Sequence, residues 1–382
     1  MLITQPSIHF RSTQNGLRYD SIWESLEAGA WKNILPENLL DSALIEGVDR
    51  SLYKPILKDF HLIHKGMVWD DIKKMPYDPI YIPKKVNANL DLFFEETYRF
   101  FNQYAGKQIG VQLSGGLDSS IIIGLLKYFK IPFYLVGLAN KRFEFRTESR
   151  IQQILAEWAD KTILVDYETC LPYSHIDKVP PHQYPEGYVT SFGPDYIMAQ
   201  TAKNLGIEVL FTGQGGDNVF GDEILHKSPE ELKWMPHTYY QGWIEDLVYA
   251  AEGIELVPFY ANERFSELIY NLRLGQKKDI PKVWARQYFK DILPSELIEY
   301  SYCSDFWGFV ISGVQEVIPK LPLLFEQTFN LTENKFFNKE KVKELIAIDL
   351  LDYKKETYMQ IEPLLGIAVW IDSLVRGGII KK

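Results

Sequence analysis

Cysteine is nearly missing from this chain. Two residues in 382, Cys170 and Cys303, exclude a disulfide framework and any four-thiolate zinc site. A basic excess is missing as well: 41 Lys and Arg stand against 51 Asp and Glu, for a net charge of -10. An acidic chain lacks the electrostatic footprint of a nucleic-acid binder, so no nucleic-acid partner is expected. No run approaches the roughly 18 apolar residues of a membrane span, and even IEPLLGIAVWIDSLV carries charges at its flanks. The opening MLITQPSIHF has neither a basic n-region nor a long apolar core, which argues against a secretory signal. No membrane partner is expected, and the expected compartment is a reducing cytoplasm. There is no internal repeat and no low-complexity tract.

What is present is apolar material: 46% hydrophobic and 14% aromatic, enough for large cores. The length suggests two or three domains. Up to residue 85, short apolar runs are broken by Pro36, Pro55, Pro76, Pro79 and Pro83. PYDPIYIPKK reads as extended chain and linker, because each proline biases its predecessor away from helix. The expected division is a small N-terminal domain over residues 1–88 and a larger domain over residues 89–382. Residues 90–104 then read as an amphipathic helix and QIGVQL as a buried strand. Helix follows at 119–129, strand at PFYLVGL, helix at 148–159, strand at TILVDY, helix at 198–205 and strand at EVLFTG. Strands alternating with helices imply an α/β fold, a doubly wound parallel sheet with right-handed crossovers. Beyond Asp222 the pattern is mostly helical. Ligands in such sheets sit beyond the carboxyl ends of the strands, where both glycine-rich loops fall.

The first loop, LSGGLDSS, spans Leu113, Ser114, Gly115, Gly116, Leu117, Asp118, Ser119 and Ser120. A strand, two glycines and a helix N-terminus make an anion cradle, to which three hydroxyls add donors. A carboxylate there would repel phosphate unless a cation intervened, so Asp118 suggests a Mg²⁺ ligand. No G-K-[ST] is present, which argues against a Walker-type NTPase.

SGGLDSS resembles the pyrophosphate-binding loop of the asparagine synthetase and β-lactam synthetase group of ATP pyrophosphatases. TGQGGDNVFGDE, residues 212–223, resembles that group's second loop, usually T-G-E-G-A-D-E-L-F-G-G. GIELVPF, residues 253–259, resembles G-x-E-x-R-x-P-F, one residue short. KVWARQYFKDILP, residues 282–294, resembles a K-x-x-x-R helix followed by L-P. The four motifs stand in order across roughly residues 95–310. The resemblance implies an adenine nucleotide α-hydrolase-like sheet, with ATP and Mg²⁺ as cofactors. It places ATP on Leu113, Ser114, Gly115, Gly116, Asp118, Ser119, Ser120, Gly213, Gln214, Gly215 and Asp217, with adenine at Gly137 and Leu138. Mg²⁺ falls to Asp118 and Asp217, and pyrophosphate to Lys282, where a cation stabilises developing charge. Glu255 would orient or deprotonate the attacking amine, with a buried structural glutamate as the alternative. Arg286 would brace the site or pair with a carboxylate rather than touch ATP. Glu148 could be the acidic residue that the group often has after the second strand, or a surface charge.

Two departures follow from the same comparison. Glutaminase-bearing relatives have a nucleophilic cysteine after Met1, whereas here the residue is Leu2; that activity needs its thiolate. The group's downstream lysine falls at Tyr302, and the next lysine, Lys320, is too distant to replace it. Lys282, Tyr300 or Tyr302 would then carry more of the load. His61 and His64 have helical spacing but no third ligand, and residues 237–243, HTYYQGW, read more readily as helix core than as a pocket.

The expected activity is an AMP-forming amide ligase that adenylates a carboxylate and joins it to an amine, in natural-product biosynthesis. An amine held on the substrate gains effective concentration, as in β-lactam synthetases and lasso-peptide macrolactam cyclases. The substrate would be a small molecule or peptide, and a second copy or a biosynthetic partner protein is a candidate partner. Alternatives are an ammonia-dependent asparagine synthetase-like enzyme, sulfur transfer to a nucleotide base, and a non-catalytic ATP-binding protein. Glutamine is not expected to supply nitrogen.

Overall fold

The computed structural model describes residues 8–13, 16–19, 26, 60–63, 68–70, 72, 75–77, 86–139, 141, 146–182, 187–220, 243–273, 282–299, 306–332, 340, 343 and 355–380. Three short antiparallel strands open it: β1 (Ile8–Thr13) lies between β2 (Gly16–Tyr19) and β3 (Phe60–Ile63). A second antiparallel pair is β4 (Val68–Asp70) with β5 (Met75–Tyr77). The N-terminal segment therefore holds more regular structure than its prolines suggest, and Pro76 sits in a strand with a single partner among the described residues, where a missing N–H is tolerated. His61 lies in β3, so the helical spacing read into HLIH does not hold; His64 lies outside the described residues.

The main sheet is parallel and has five strands: β6 (Ile109–Leu113), β7 (Tyr134–Ala139), β8 (Lys161–Asp166), β9 (Val209–Thr212) and β10 (Glu255–Pro258). Their order is β10-β9-β6-β7-β8. From β6 the chain builds outward through β7 and β8, then crosses to the other side of β6 for β9 and β10. The strand order reverses between β6 and β9, the crevice where such sheets bind ligands.

Helices cover both faces, and the strand residues alternate between them. Val111, Leu113, Leu135, Val209 and Phe211 join Phe93, Phe101, Ile121, Ile151 and Leu268 in one core, under the helices Leu90–Asn102, Leu117–Tyr128, Arg146–Ala156 and Glu263–Arg273. Val136 and Leu210 join Ala199, Tyr249 and Trp370 in the other, under Phe192–Asn204, Trp243–Ala251 and Lys355–Arg376. Burial on both sides explains why the sheet strands read as continuous apolar runs. The doubly wound α/β architecture with a helical C-terminal half is as expected, with one correction: β10, inside GIELVPF, is a fifth strand paired with β9.

Trp307–Thr328 is a stretch long and apolar enough to cross a membrane by composition, with mean hydropathy 1.3. Gln315, Glu316 and Lys320 interrupt it, so it is not an unbroken apolar run. Val314, Val317, Leu321 and Phe325 bury into the core beside Trp370, while 33% of the stretch's most apolar window is buried.

Candidate nucleotide site

The loop after β6 is bound into itself by its serines. The Ser114 and Ser119 hydroxyls are 2.8 Å apart, and Gly116 N–H donates to Ser114 Oγ at 3.2 Å. Ser119 and Ser120 Oγ donate to the Gly116 carbonyl at 3.3 and 2.6 Å. Gly115 takes φ 82°, and a Cβ there would meet the Glu148 carbonyl oxygen at 2.5 Å; only glycine fits. Ser114 is exposed, whereas Leu113, Ser119 and Ser120 are buried. The expectation that Ser120 faces a ligand is therefore corrected: its hydroxyl closes the first turn of the Leu117–Tyr128 helix. Gly116 caps that helix without a side-chain hydrogen bond, so the turn's N–H groups lack the usual side-chain acceptor.

The two loops touch. A Cβ on Gly213 would come 2.9 Å from Ser119 N, and one on Gly216 would come 2.3 Å from Asp118 Cγ. This contact sets the Asp118 carboxylate against the residue preceding Asp217. Lys282 joins them: its ammonium lies 2.9 and 2.8 Å from the two Asp118 oxygens and 2.5 Å from Asp217 Oδ1. Three donors meet three carboxylate oxygens. Burial pushes the Asp118 carboxyl up, to about 6, although Lys282 pulls it down; Asp217 adds to the rise and Arg286 opposes it. Burial disfavours the Lys282 charge, but the two carboxylates outweigh it and hold its pKa above the ordinary value.

Lys282 is not inside the following helix. It is the N-cap of Val283–Tyr288 with φ 59°, a left-handed conformation that a lysine adopts only under constraint. Arg286 lies a turn on, buried, with its N–H on the Lys282 carbonyl at 3.1 Å.

Other expected residues fall elsewhere. Glu255 begins β10, opposite Val209 at the amino edge of the sheet, and pairs with Lys107 at 2.8 Å. A four-residue strand separates it from the loops by about 10 Å, so neither the amine-orienting role nor the buried-structural alternative holds. Gly137 lies opposite Leu113, and a Cβ would strike the Leu113 carbonyl oxygen at 2.2 Å; close strand packing already demands glycine there. The Leu138 carbonyl accepts from Gln152 Nε2 at 2.9 Å. Glu148 is buried and not a surface charge. Cys170 is buried, its thiol pushed up to about 12 by that burial, which disfavours the thiolate that sulfur transfer would need. Tyr300, Tyr302, Leu2, Cys303 and residues 237–242 lie outside the described residues.

Several contributors carried no local sequence signal. Gln152 Nε2 donates to both the Leu113 and Leu138 carbonyls, at 3.0 and 2.9 Å, and so locks the ends of β6 and β7. Tyr260 donates its hydroxyl to the Asp118 carbonyl at 2.8 Å, and burial holds that phenol well above its ordinary pKa. Gln214 donates its side-chain amide to Glu245, Nε2 to Oε2 2.7 Å.

Two glycine loops meeting at the switch point, each delivering a carboxylate to one lysine, is a constellation that can be compared with known proteins. Residues 103–241 match the asparagine synthase family. A Methanocaldococcus jannaschii protein named "Putative asparagine synthetase [glutamine-hydrolyzing] 1" is 30% identical over 173 residues, 41% of this chain and 31% of that one. A probable asparagine synthetase of Acanthamoeba polyphaga mimivirus is 26% identical over 217 residues, 51% of this chain and 38% of that one. The chain spans about a third of the length of the curated relatives it matches. Among solved structures, the NAD⁺ synthetase of Burkholderia pseudomallei aligns at a TM-score of 0.27 and 14% identity, over 55% of this chain and 90% of that one. The asparagine synthase match contains both glycine loops; β10 and Lys282 lie beyond it.

Proposed function

We propose that this chain is an ATP-dependent ligase that transfers AMP to a substrate carboxylate, releases pyrophosphate and joins the activated acyl group to an amine. The observation that carries the reading is the bridge from Lys282 to Asp118 and Asp217 at the sheet's switch point.

The residues suit a metal–nucleotide pair. Asp118 and Asp217 are hard oxygen donors on adjoining loops, and magnesium is commonly held by one or two carboxylates together with substrate phosphates. Bound there, the ion would neutralise phosphate charge and orient the triphosphate. The loop from Ser114 to Gly116 and the start of the Leu117–Tyr128 helix would receive the leaving pyrophosphate. Lys282, kept cationic by its carboxylate neighbours, would supply positive charge as that group departs. Gln152 and Tyr260 would hold the loop and Asp118 in place through the reaction.

The carboxylate substrate is a small molecule or a peptide. Its amine partner is ammonia or a group on the same substrate, and an amine already bound needs no ammonia channel. Formation of a macrolactam or β-lactam in natural-product biosynthesis fits that second arrangement. The test is ATP–pyrophosphate exchange across a panel of carboxylates, with AMP followed by mass spectrometry. Carboxylate-dependent exchange supports the reading, and a requirement for free ammonia separates an intermolecular ligase from a cyclase. No exchange and no AMP with any carboxylate would leave an ATP-binding protein.

A further inference from the structure

Gln214 stands between two glycines at the crest of the second loop, three residues before Asp217. Its backbone N–H donates to Thr212 Oγ1 at 3.0 Å and its side chain donates to Glu245 Oε2 at 2.7 Å. Glu245 is 1% exposed, in the first turn of the Trp243–Ala251 helix. One turn along the same face, the fully buried Tyr249 accepts from Gln112 Nε2 at 2.9 Å and donates to Asp195 Oδ1 at 3.4 Å. A single helix thus ties the second loop to strand β6 and to the Phe192–Asn204 helix. Gln112 precedes Leu113, where the first loop begins.

We propose that Glu245 is a positioning residue of the nucleotide site. It fixes the second loop through Gln214, and so sets where Asp217 meets Lys282. The contact is polarised: an amide N–H faces a carboxylate, and hydrogen bonds to charged groups are the strong ones. Burial makes it exacting, because a second carboxylate at 214 would face the first in a medium that screens it poorly. Glycines on both sides leave the loop crest little stiffness of its own, so the amide–carboxylate bond supplies it.

The catalytic arm of the test rests on the ligase reading, whereas the structural arm does not. Three variants are compared with the parent: Gln214→Glu, Glu245→Gln and the double exchange Gln214→Glu with Glu245→Gln. In the free protein, amide hydrogen exchange of the 212–217 segment reports loop order. Gln214→Glu is expected to speed it about tenfold, Glu245→Gln to leave it within about threefold, and the double exchange, which restores one donor facing one carboxylate, to return it toward the parent. Calorimetric binding of Mg·ATP and the maximal rate of pyrophosphate exchange should follow the same order. Gln214→Glu with parental loop exchange overturns the proposal, as does a double variant no better than Gln214→Glu alone. Rescue of loop order without any pyrophosphate exchange in the parent would uphold the tie from Glu245 and remove the ligase reading.

Discussion

Lys282 Nζ reaches both carboxylate oxygens of Asp118, at 2.9 and 2.8 Å, across 164 positions of sequence. The pair ties a residue just before the Val283–Tyr288 helix to the first turn of the Leu117–Tyr128 helix, and Asp217 closes the cluster from a third segment. Its geometry gives different consequences for removing each member.

Lys282→Met keeps an apolar stem and deletes the charge. Losing one preorganised contact to a developing charge costs on the order of 3 kcal/mol, about a hundredfold in rate. Steady-state pyrophosphate exchange should show the loss in maximal rate more than in ATP affinity. A mild effect of Lys282→Met together with a gain from Tyr302→Lys would point to a decayed site.

Asp118→Asn and Asp217→Asn should each abolish AMP formation, read by mass spectrometry, because each removes a carboxylate proposed for magnesium. Burial is the main cause that raises the Asp118 carboxyl to about 6, against the pull of Lys282. Asp118→Asn should nevertheless weaken the fold at pH 8, because it leaves the buried Lys282 ammonium without the carboxylate that receives two of its three bonds. A thermal midpoint at pH 8 below the parent's is the expected result.

The pKa shift of His182 has the opposite sign. It is wholly buried near Arg376, and burial lowers its pKa from 6.5 to about 4. The Trp370 indole donates to its carbonyl at 2.9 Å, so the loop and the Lys355–Arg376 helix share its fate. The unfolded chain binds the proton more readily, so stability is present above pH 6.5 and falls as pH drops toward 4, by on the order of 3 kcal/mol. Thermal melts from pH 8 to 4.5 should show a steeper acid-side fall in the parent than in His182→Asn.

Gly137→Ala should destabilise the sheet by about 1–3 kcal/mol, since the new methyl strikes backbone rather than a yielding side chain. Urea titration measures it, and a neutral result would mean that β6 and β7 part more easily than their pairing suggests.

Much of this was legible beforehand because the relevant signals are local. QIGVQL and EVLFTG are buried on both faces, which leaves an unbroken apolar run, and the glycines after them mark the turns. β10 was hidden because its four residues lie inside a motif, and Glu255 was misplaced because motif spacing does not say which end of a parallel strand faces the ligand. The left-handed Lys282 backbone and the long-range bonds of Gln152, Tyr260 and Glu245 arise from tertiary packing, which imprints no periodicity. The pairing of Lys282 with two aspartates depends on strand order, and no single motif encodes that.

The position of β10 also bears on where the chain can be cut. A fragment ending at residue 241 would keep the whole asparagine synthase match and both glycine loops. It would strip β9 of its outer neighbour, leaving Val209, Leu210 and Phe211, all fully buried in the intact chain, along a bare backbone margin. Such a margin recruits other chains. Expressed alone, the fragment should self-associate, and any truncation meant to keep Lys282 with the two loops must run past the Val283–Tyr288 helix.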